Sequence, residues 1–144
     1  MKHVSICFLL TVVVVLSGVL LYAQEEVPHV FTVTTFELLS PEGGSNAEFD
    51  SLSALWNENV IKKNEFIISE ETMTHLWGSN ALDFVVITEH KNFADIENAG
   101  NRNIELLREA WPDTTARREY TRAYSKYFGN HKDEIYQAYT SVRK

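Results

Sequence analysis

The pattern of apolar and polar positions after residue 30 predicts a mixed α+β domain. The run from Val30 to Leu39 is rich in β-branched and aromatic residues, which favour a strand. Residues 40–44 contain Pro and Gly and interrupt the strand, and Ser45 with Glu48 three residues later forms a capping-box pattern that opens a helix. Apolar residues then recur at helical spacing to about Asn64: Phe49, Leu52, Trp56 and Val60.

Two extended segments follow and are predicted to form a β-hairpin. They span about Glu71–Trp77 and Leu82–His90, with the four residues 78–81 as the loop. In that register Trp77 pairs with Leu82 and His75 with Phe84. The period-two rule then places one set of side chains on a common face: Met73, His75, Trp77, Leu82, Phe84, Val86, Thr88 and His90.

The opposite face of the predicted hairpin is also partly apolar, with Val85 and Ile87 among its residues. A sheet with helices on one side and water on the other should alternate more cleanly. We therefore expect a second sheet to cover the open side. A loop one residue longer or shorter would reverse the assignment of faces along the first strand of the hairpin.

The second half of the chain predicts a helix broken in two, followed by a last element. Apolar residues recur at helical spacing after Asn92, and Pro112 ends or kinks that helix. Asp113 is a good cap for a new helix, and Gly129 with Asn130 is a natural stop. The stretch 133–142 fits a strand or a short helix, and its alternation favours the strand.

The N-terminus has the pattern of a targeting segment. Lys2 precedes an apolar stretch from Val4 to Leu21, and Ala23 stands immediately before an acidic, polar boundary. This pattern predicts a signal peptide over residues 1–23 and an exported domain, periplasmic or secreted, over residues 24–144. After cleavage we expect no membrane association. The alternative is an uncleaved anchor, since the apolar stretch approaches the length of a spanning helix.

Removal of the 23 residues Met1–Ala23 from the 144 leaves 121 residues that contain no cysteine. Disulfides, thiolate nucleophiles and cysteine-ligated metal centres are therefore excluded from the exported domain. Only Lys2 among the charged residues is lost, so the net charge changes from −7 to −8. An acidic balance repels phosphate backbones, and we expect no nucleic acid partner.

The predicted element order is β-α-β-β-α-α-β, the ferredoxin-like split pattern with its second helix broken. Together with the semi-apolar open face of the sheet, this order resembles the dimeric α+β barrel proteins. The resemblance implies an antiparallel sheet, a homodimer packed sheet to sheet, and a pocket between helices and sheet in each copy. Cofactor-free monooxygenases, haem proteins and stress-response proteins share this fold, so the resemblance implies no single activity.

Histidines are the first candidates for chemistry, because imidazole exchanges protons near neutral pH. His75 and His90 share the predicted hairpin face, among apolar residues against which they would alternatively only pack. His131 lies two residues before Asp133, which would orient it as a general base; a solvated loop would have the same sequence. The spacing matches no strong metal signature, so no metal site is predicted.

Aromatic residues on the predicted helices and hairpin are candidates for the lining of a ligand pocket, although such residues are more often ordinary core. The phenol of Tyr124 would also donate to a developing oxyanion. With His90, the expected ligand-binding residues are Trp56, Trp77 and Phe84.

These features predict an exported homodimer that binds a small, partly apolar organic ligand. Any catalysis would be cofactor-free oxygenation or proton transfer, with His75 or His131 as the base, Asp133 orienting it, and Tyr124 as the donor. No cofactor is expected in this interpretation. Two alternatives stay open: a non-catalytic binding or stress-response protein, and a haem protein that uses one of the histidines.

Overall fold

The structure, a computed structural model, describes residues 28–139. The predicted signal peptide lies outside the described residues, as does the end of the stretch 133–142. The elements follow one another as β1 (Val30–Leu38), α1 (Asn46–Asn59), β2 (Ser69–Thr74), β3 (Asp83–His90), α2 (Ala94–Ala110), α3 (Thr114–Ser125) and β4 (Phe128–Gln137).

The four strands form one antiparallel sheet in the order β2-β3-β1-β4. The central strand β1 pairs with β3 on one side and with β4 on the other. Strand β3 therefore lies between β1 and β2, the strands of the first βαβ unit, and β1 lies between β3 and β4, the strands of the second. This is the ferredoxin-like arrangement that the element order predicted. The α+β class and the antiparallel sheet are confirmed.

The helices begin where the sequence predicts. Ser45 is extended, and its Oγ accepts a hydrogen bond from the Glu48 amide at 3.1 Å. Asp113 caps α3 in the same way, with its carboxylate 2.8 Å from the Ala116 amide. Helix α1 ends at Asn59, earlier than predicted, because the chain then enters a 3-10 turn over Ile61–Lys63.

The side chain of Asn64 holds the chain after that turn. It is buried, and its amide donates to the Ala99 carbonyl at 2.9 Å and to Asn103 Oδ1 at 2.7 Å. These bonds connect the segment that follows α1 with helix α2. Because a buried amide is costly without partners, they fix the position at which the chain turns towards β2.

The predicted register of the hairpin is wrong. Strand β2 ends at Thr74, and its pairing places Met73 opposite Val85 and Thr74 opposite Phe84. The connection is the longer segment 75–82, in which Gly78 has a φ of +143° that favours glycine. The side chains of β2 therefore exchange faces relative to the prediction, and Trp77 and His75 pair with neither Leu82 nor Phe84.

The last element is a strand as far as Gln137, as favoured, but it begins earlier than expected. The predicted stop at Gly129 and Asn130 is wrong, because both residues lie inside β4. Gly129 packs closely against β1, since a Cβ there would stand 3.3 Å from the Cβ of Glu37. A register shift between Phe36 and Leu38 marks the same place in β1.

A polar cluster joins the start of α1 to the start of β4. The Tyr127 hydroxyl donates to Glu48 Oε2 at 2.5 Å and accepts from the Ser45 amide at 2.9 Å. Lys126 Nζ lies 2.8 Å from the same carboxylate oxygen. The hydrogen bond from Lys126 makes the largest contribution to lowering the pKa of Glu48, and the hydrogen bond from Tyr127 makes the next.

Within residues 28–139, no helix combines the length and the apolar character needed to cross a membrane.

Loss of the cap of α1 should lower stability measurably. We expect Ser45→Ala to reduce the free energy of unfolding by about 1 kcal/mol, because the Glu48 amide loses its acceptor. Urea denaturation at one fixed protein concentration measures the change. Ser51→Ala is the control, since that hydroxyl bonds only the Ala47 carbonyl within the helix, and equal losses in the two variants would contradict the capping role.

Candidate functional site

The pleat of the sheet divides its side chains into two faces. Residues directly opposite one another in antiparallel strands point to the same side. The face towards the helices carries Thr34, Phe36, Glu70, Thr72, Thr74, Phe84, Val86 and Thr88. The outer face carries Phe31, Val33, Glu71, Met73, Val85 and Ile87.

A cavity of about 620 Å³ lies between the helix-facing side of the sheet and the helices. Helix α1 contributes most of its roof, and α2 and α3 contribute one residue each, Asn103 and Tyr124. Aromatic rings form the apolar part of the wall. They are Phe36, Phe49, Trp56, Phe84, Tyr124 and Phe128.

The aromatic rings are held by contacts among themselves. Phe49 meets Phe84 edge to face at 5.6 Å between centroids, which joins α1 to β3. Tyr124 stands 6.4 Å from Trp56 and 5.0 Å from Phe128 by the same measure. Such tilted and edge contacts fix ring orientation as well as position. The aromatic wall is therefore ordered by packing rather than by one element alone.

One carboxyl group stands out among the polar lining residues. Glu70 lies on β2 opposite Thr88, whose hydroxyl donates to Glu70 Oε2 at 3.1 Å. The side chain is partly buried, and burial raises the pKa of its carboxyl group; the hydrogen bond from Thr88 opposes that shift in part. Glu70 makes no ion pair with any residue in the described range.

Tyr124 faces the same space from α3. Burial raises the pKa of its phenol, and the nearby charge of Glu70 adds to the rise. The hydroxyl of Ser53 is buried beside this cavity, and its interaction with the Tyr124 phenol opposes the rise of that pKa in part. The site therefore offers a carboxyl group, a phenol that stays protonated at neutral pH, and a serine hydroxyl.

The structure brings two of the predicted ligand-binding residues, Trp56 and Phe84, to this cavity, together with Tyr124, the predicted donor. Trp77 does not line it. This residue lies in the segment between β2 and β3, and its side chain is 93% exposed. The reason is the register of the hairpin, because β2 ends three residues before Trp77.

The predicted pair of histidines on the hairpin is not formed. His75 follows the end of β2, and its amide donates to the Asp83 carbonyl at the beginning of β3. His90 lies at the other end of β3, about 20 Å away along the strand. Its ring is buried, with Nδ1 3.1 Å from the Phe66 carbonyl oxygen. His90 therefore holds the segment before β2, and neither histidine lines the cavity.

His131 and Asp133 do meet, but on the outer edge of the sheet. His131 Nε2 lies 3.2 Å from Asp133 Oδ2, and both side chains are more than half exposed. The imidazole packs at 5.5 Å from the ring of Phe36, and Asp133 accepts from the Thr34 hydroxyl at 2.8 Å. Because they lie opposite Phe36 and Thr34, both side chains are on the helix-facing side of the edge strand β4, beside the cavity wall, but neither lines the cavity.

The donor set of the cavity does not suit the haem alternative, which required a histidine ligand. None of the four histidines between residues 28 and 139 lines the cavity. In the same part of the chain, no three His, Cys, Asp or Glu side chains are grouped so as to hold a metal ion.

Glu70 is the site residue that the sequence analysis missed. It stands in Ser69-Glu70-Glu71-Thr72, where two neighbouring glutamates must point to opposite faces of a strand. The pair was a usable indication that one carboxyl group faces the helices. The register of β2 decides which of the two it is.

No family model and no curated protein matches the chain. Several solved structures have a similar fold. A variant of SnoaB, a cofactor-independent oxygenase from Streptomyces nogalater, has a TM-score of 0.53 at 12% identity and covers 81% of this chain and 99% of its own. A putative antibiotic biosynthesis monooxygenase from Caulobacter crescentus CB15 has a TM-score of 0.51 at 12% identity, with 80% and 93% covered.

A dimeric ferredoxin-like protein from an uncultured marine organism has a TM-score of 0.52 at 7% identity and covers 81% of this chain and 93% of its own. At these identities the likeness shows the fold alone. The chain has the ferredoxin-like α+β fold that the dimeric α+β barrel proteins share.

The raised pKa of Glu70 predicts a stability difference with a definite sign. Between its ordinary value of 4.5 and its raised value in the folded protein, the folded state binds more protons, so stability falls as pH rises. We expect Glu70→Gln to raise the free energy of unfolding at neutral pH, by about 1.4 kcal/mol for each unit of the pKa shift. The gain should vanish below pH 4.

Urea denaturation of wild type and variant across this pH range measures the difference. Glu71→Gln is the matched control, because Glu71 is the adjacent residue of β2 and points to the outer face, where it is exposed. A gain for Glu70→Gln that does not depend on pH would contradict the assignment.

Proposed function

We propose that this protein is an exported, homodimeric α+β barrel protein that binds a small, partly apolar organic molecule between its helices and its sheet. The cavity carries this proposal. Its volume of about 620 Å³ falls in the range of small-molecule sites. Its wall combines six aromatic residues with a few polar groups, the composition that holds a flat apolar body and fixes its orientation.

The homodimer follows from the outer face of the sheet. No described helix packs there, yet its centre is apolar, with Val33 opposite Ile87 and Met73 opposite Val85. Met73 is 42% exposed in the single chain. A sheet from a second copy would cover this surface, and a comparable protein of the same fold is described as dimeric.

Proton-transfer chemistry is the second candidate function. Glu70 and Tyr124 supply a proton acceptor and a proton donor in one cavity. SnoaB, which has a similar fold, is described as a cofactor-independent oxygenase. The alternative is binding without turnover, as in a carrier or stress-response protein. Consumption of a bound compound by wild type and not by Glu70→Gln would establish catalysis, and unchanged compound after long incubation would establish binding alone.

Filling the cavity should abolish ligand binding. Val86 lines the cavity and its neighbour Val85 points to the outer face, so Val86→Phe and Val85→Phe add the same group on opposite sides of β3. With N-phenylnaphthylamine, an apolar dye that is uncharged at neutral pH, we expect Val86→Phe to weaken binding at least about tenfold. Fluorescence titration measures it, and equal affinities in the two variants would refute the cavity as the binding site.

A charge at the centre of the outer face should separate the dimer. We expect Ile87→Glu to weaken self-association about a hundredfold or more, because a carboxylate would be buried without a partner. Size-exclusion chromatography with light scattering at micromolar concentration measures the mass. Ile104→Glu, at an exposed position on α2, is the control and should leave the dimer intact. A monomeric wild type would overturn the homodimer.

A further inference from the structure

We propose that the molecule bound in this cavity is an organic ammonium ion: a flat apolar body that carries one protonated amine. This inference rests on the proposed function, since it names the class of ligand for the same cavity. Three features of the cavity support it: the Glu70 carboxyl group, the lack of lysine, arginine and histidine in the lining formed by residues 28–139, and the aromatic wall.

The Glu70 carboxyl group forms no ion pair with any residue in the described range. Its hydrogen-bond partner in the structure is the Thr88 hydroxyl, a neutral donor to one of its two oxygens. The second oxygen has no donor within the described part of the chain. A ligand that filled the cavity would remove this partly exposed carboxylate from water, and a carboxylate removed from water is stable only when it is paired or well hydrogen-bonded. A ligand that brings a cationic N–H donor would supply what the protein does not.

The charged residues of the cavity lining are acidic. No lysine, arginine or histidine between residues 28 and 139 lines the cavity, whereas two carboxylic residues, Asp50 and Glu70, do. Two basic side chains near the cavity form ion pairs outside it. Arg102 binds three exposed glutamates, and Lys126 binds Glu48. An anionic ligand would therefore meet only negative charge in this space.

The aromatic wall offers ring faces to a cation. The electron-rich faces of Trp and Tyr attract ammonium groups, and Trp56 and Tyr124 stand 6.4 Å apart in the lining. The Tyr124 phenol also lies close enough to Glu70 to respond to its charge. An amine between these groups would meet a carboxylate and a ring face together, while the apolar body of the ligand packs on Phe49 and Phe84.

The proposal has a consequence in pH. An ammonium ligand needs the ionised form of Glu70, so its affinity should fall as the pH is lowered and the carboxylate takes up a proton. The other titratable groups that face this space are Asp50 from α1 and Tyr124 from α3; β3 and α2 contribute the uncharged Val86, Thr88 and Asn103. Tyr124 stays protonated in this range, and Asp50 is exposed, so a separate variant tests its share.

The experiment compares three indole compounds of one shape and different charge: tryptamine, tryptophol and indole-3-acetate. Isothermal titration calorimetry with the intact protein at neutral pH gives the three affinities. We expect tryptamine to bind at least about tenfold more tightly than tryptophol, as a charge-assisted hydrogen bond beside a desolvated carboxylate would give. Indole-3-acetate should bind most weakly.

Two measurements assign that preference to Glu70. Glu70→Gln should reduce the tryptamine affinity to that of tryptophol, while Glu71→Gln, the neighbour on the outer face, and Asp50→Asn should keep most of the preference. In the wild type, lowering the pH from neutral to 4.5 should weaken tryptamine and leave tryptophol unchanged. The same pH series on Asp50→Asn leaves Glu70 as the acidic residue of the described lining, so it assigns the preference even if Glu70→Gln fails to fold.

Equal affinities for tryptamine and tryptophol, tighter binding of indole-3-acetate, or a preference that survives Glu70→Gln would each overturn the ammonium ligand. So would the absence of tryptamine binding. None of these outcomes affects the proposed function, which stands or falls with the binding of the uncharged dye and its loss in Val86→Phe. The two failures are therefore distinguishable.

Discussion

The pairing of β2 with β3 decides what the cavity contains. Because side chains alternate along a strand, the register that sets Thr72 and Thr74 towards the helices also sets Glu70 there and turns Met73 outward. A slip of one residue would put Met73 in the cavity and Glu70 in the outer face. The charge inside the cavity and the apolar surface outside it thus depend on one set of backbone hydrogen bonds.

Features set by near neighbours in the sequence were predictable. Ser45 and Asp113 cap their helices because the bonds they make reach only three residues along the chain. Trp56 and Tyr124 face the sheet because helical periodicity fixes the side of a helix on which a residue lies. The order of elements then limited the topology to the one observed.

Features set by distant pairing were not predictable in the same way. The connection 75–82 has no tight two-residue turn that would impose a register on the hairpin. Residues 70 and 71 are both glutamate, so the residue type does not indicate which of them faces the helices. His131 and Asp133 lie close together because they are two residues apart on one strand. Their exposure follows from the edge position of β4 in the sheet, which local sequence does not specify.

The position of Glu70 is not explained by packing. An apolar or hydroxyl side chain opposite Thr88 would continue the lining made by Thr72 and Val86 without the desolvation of a carboxyl group. The structure instead holds an acid whose burial opposes ionisation and whose only hydrogen-bond partner in the structure is neutral. A group that lowers the stability of the empty fold would gain its compensation from a ligand of the proposed class, because a bound cation would stabilise the ionised form and the folded state together. The same group would then determine both the selectivity of the site and the stability of the ligand-free protein.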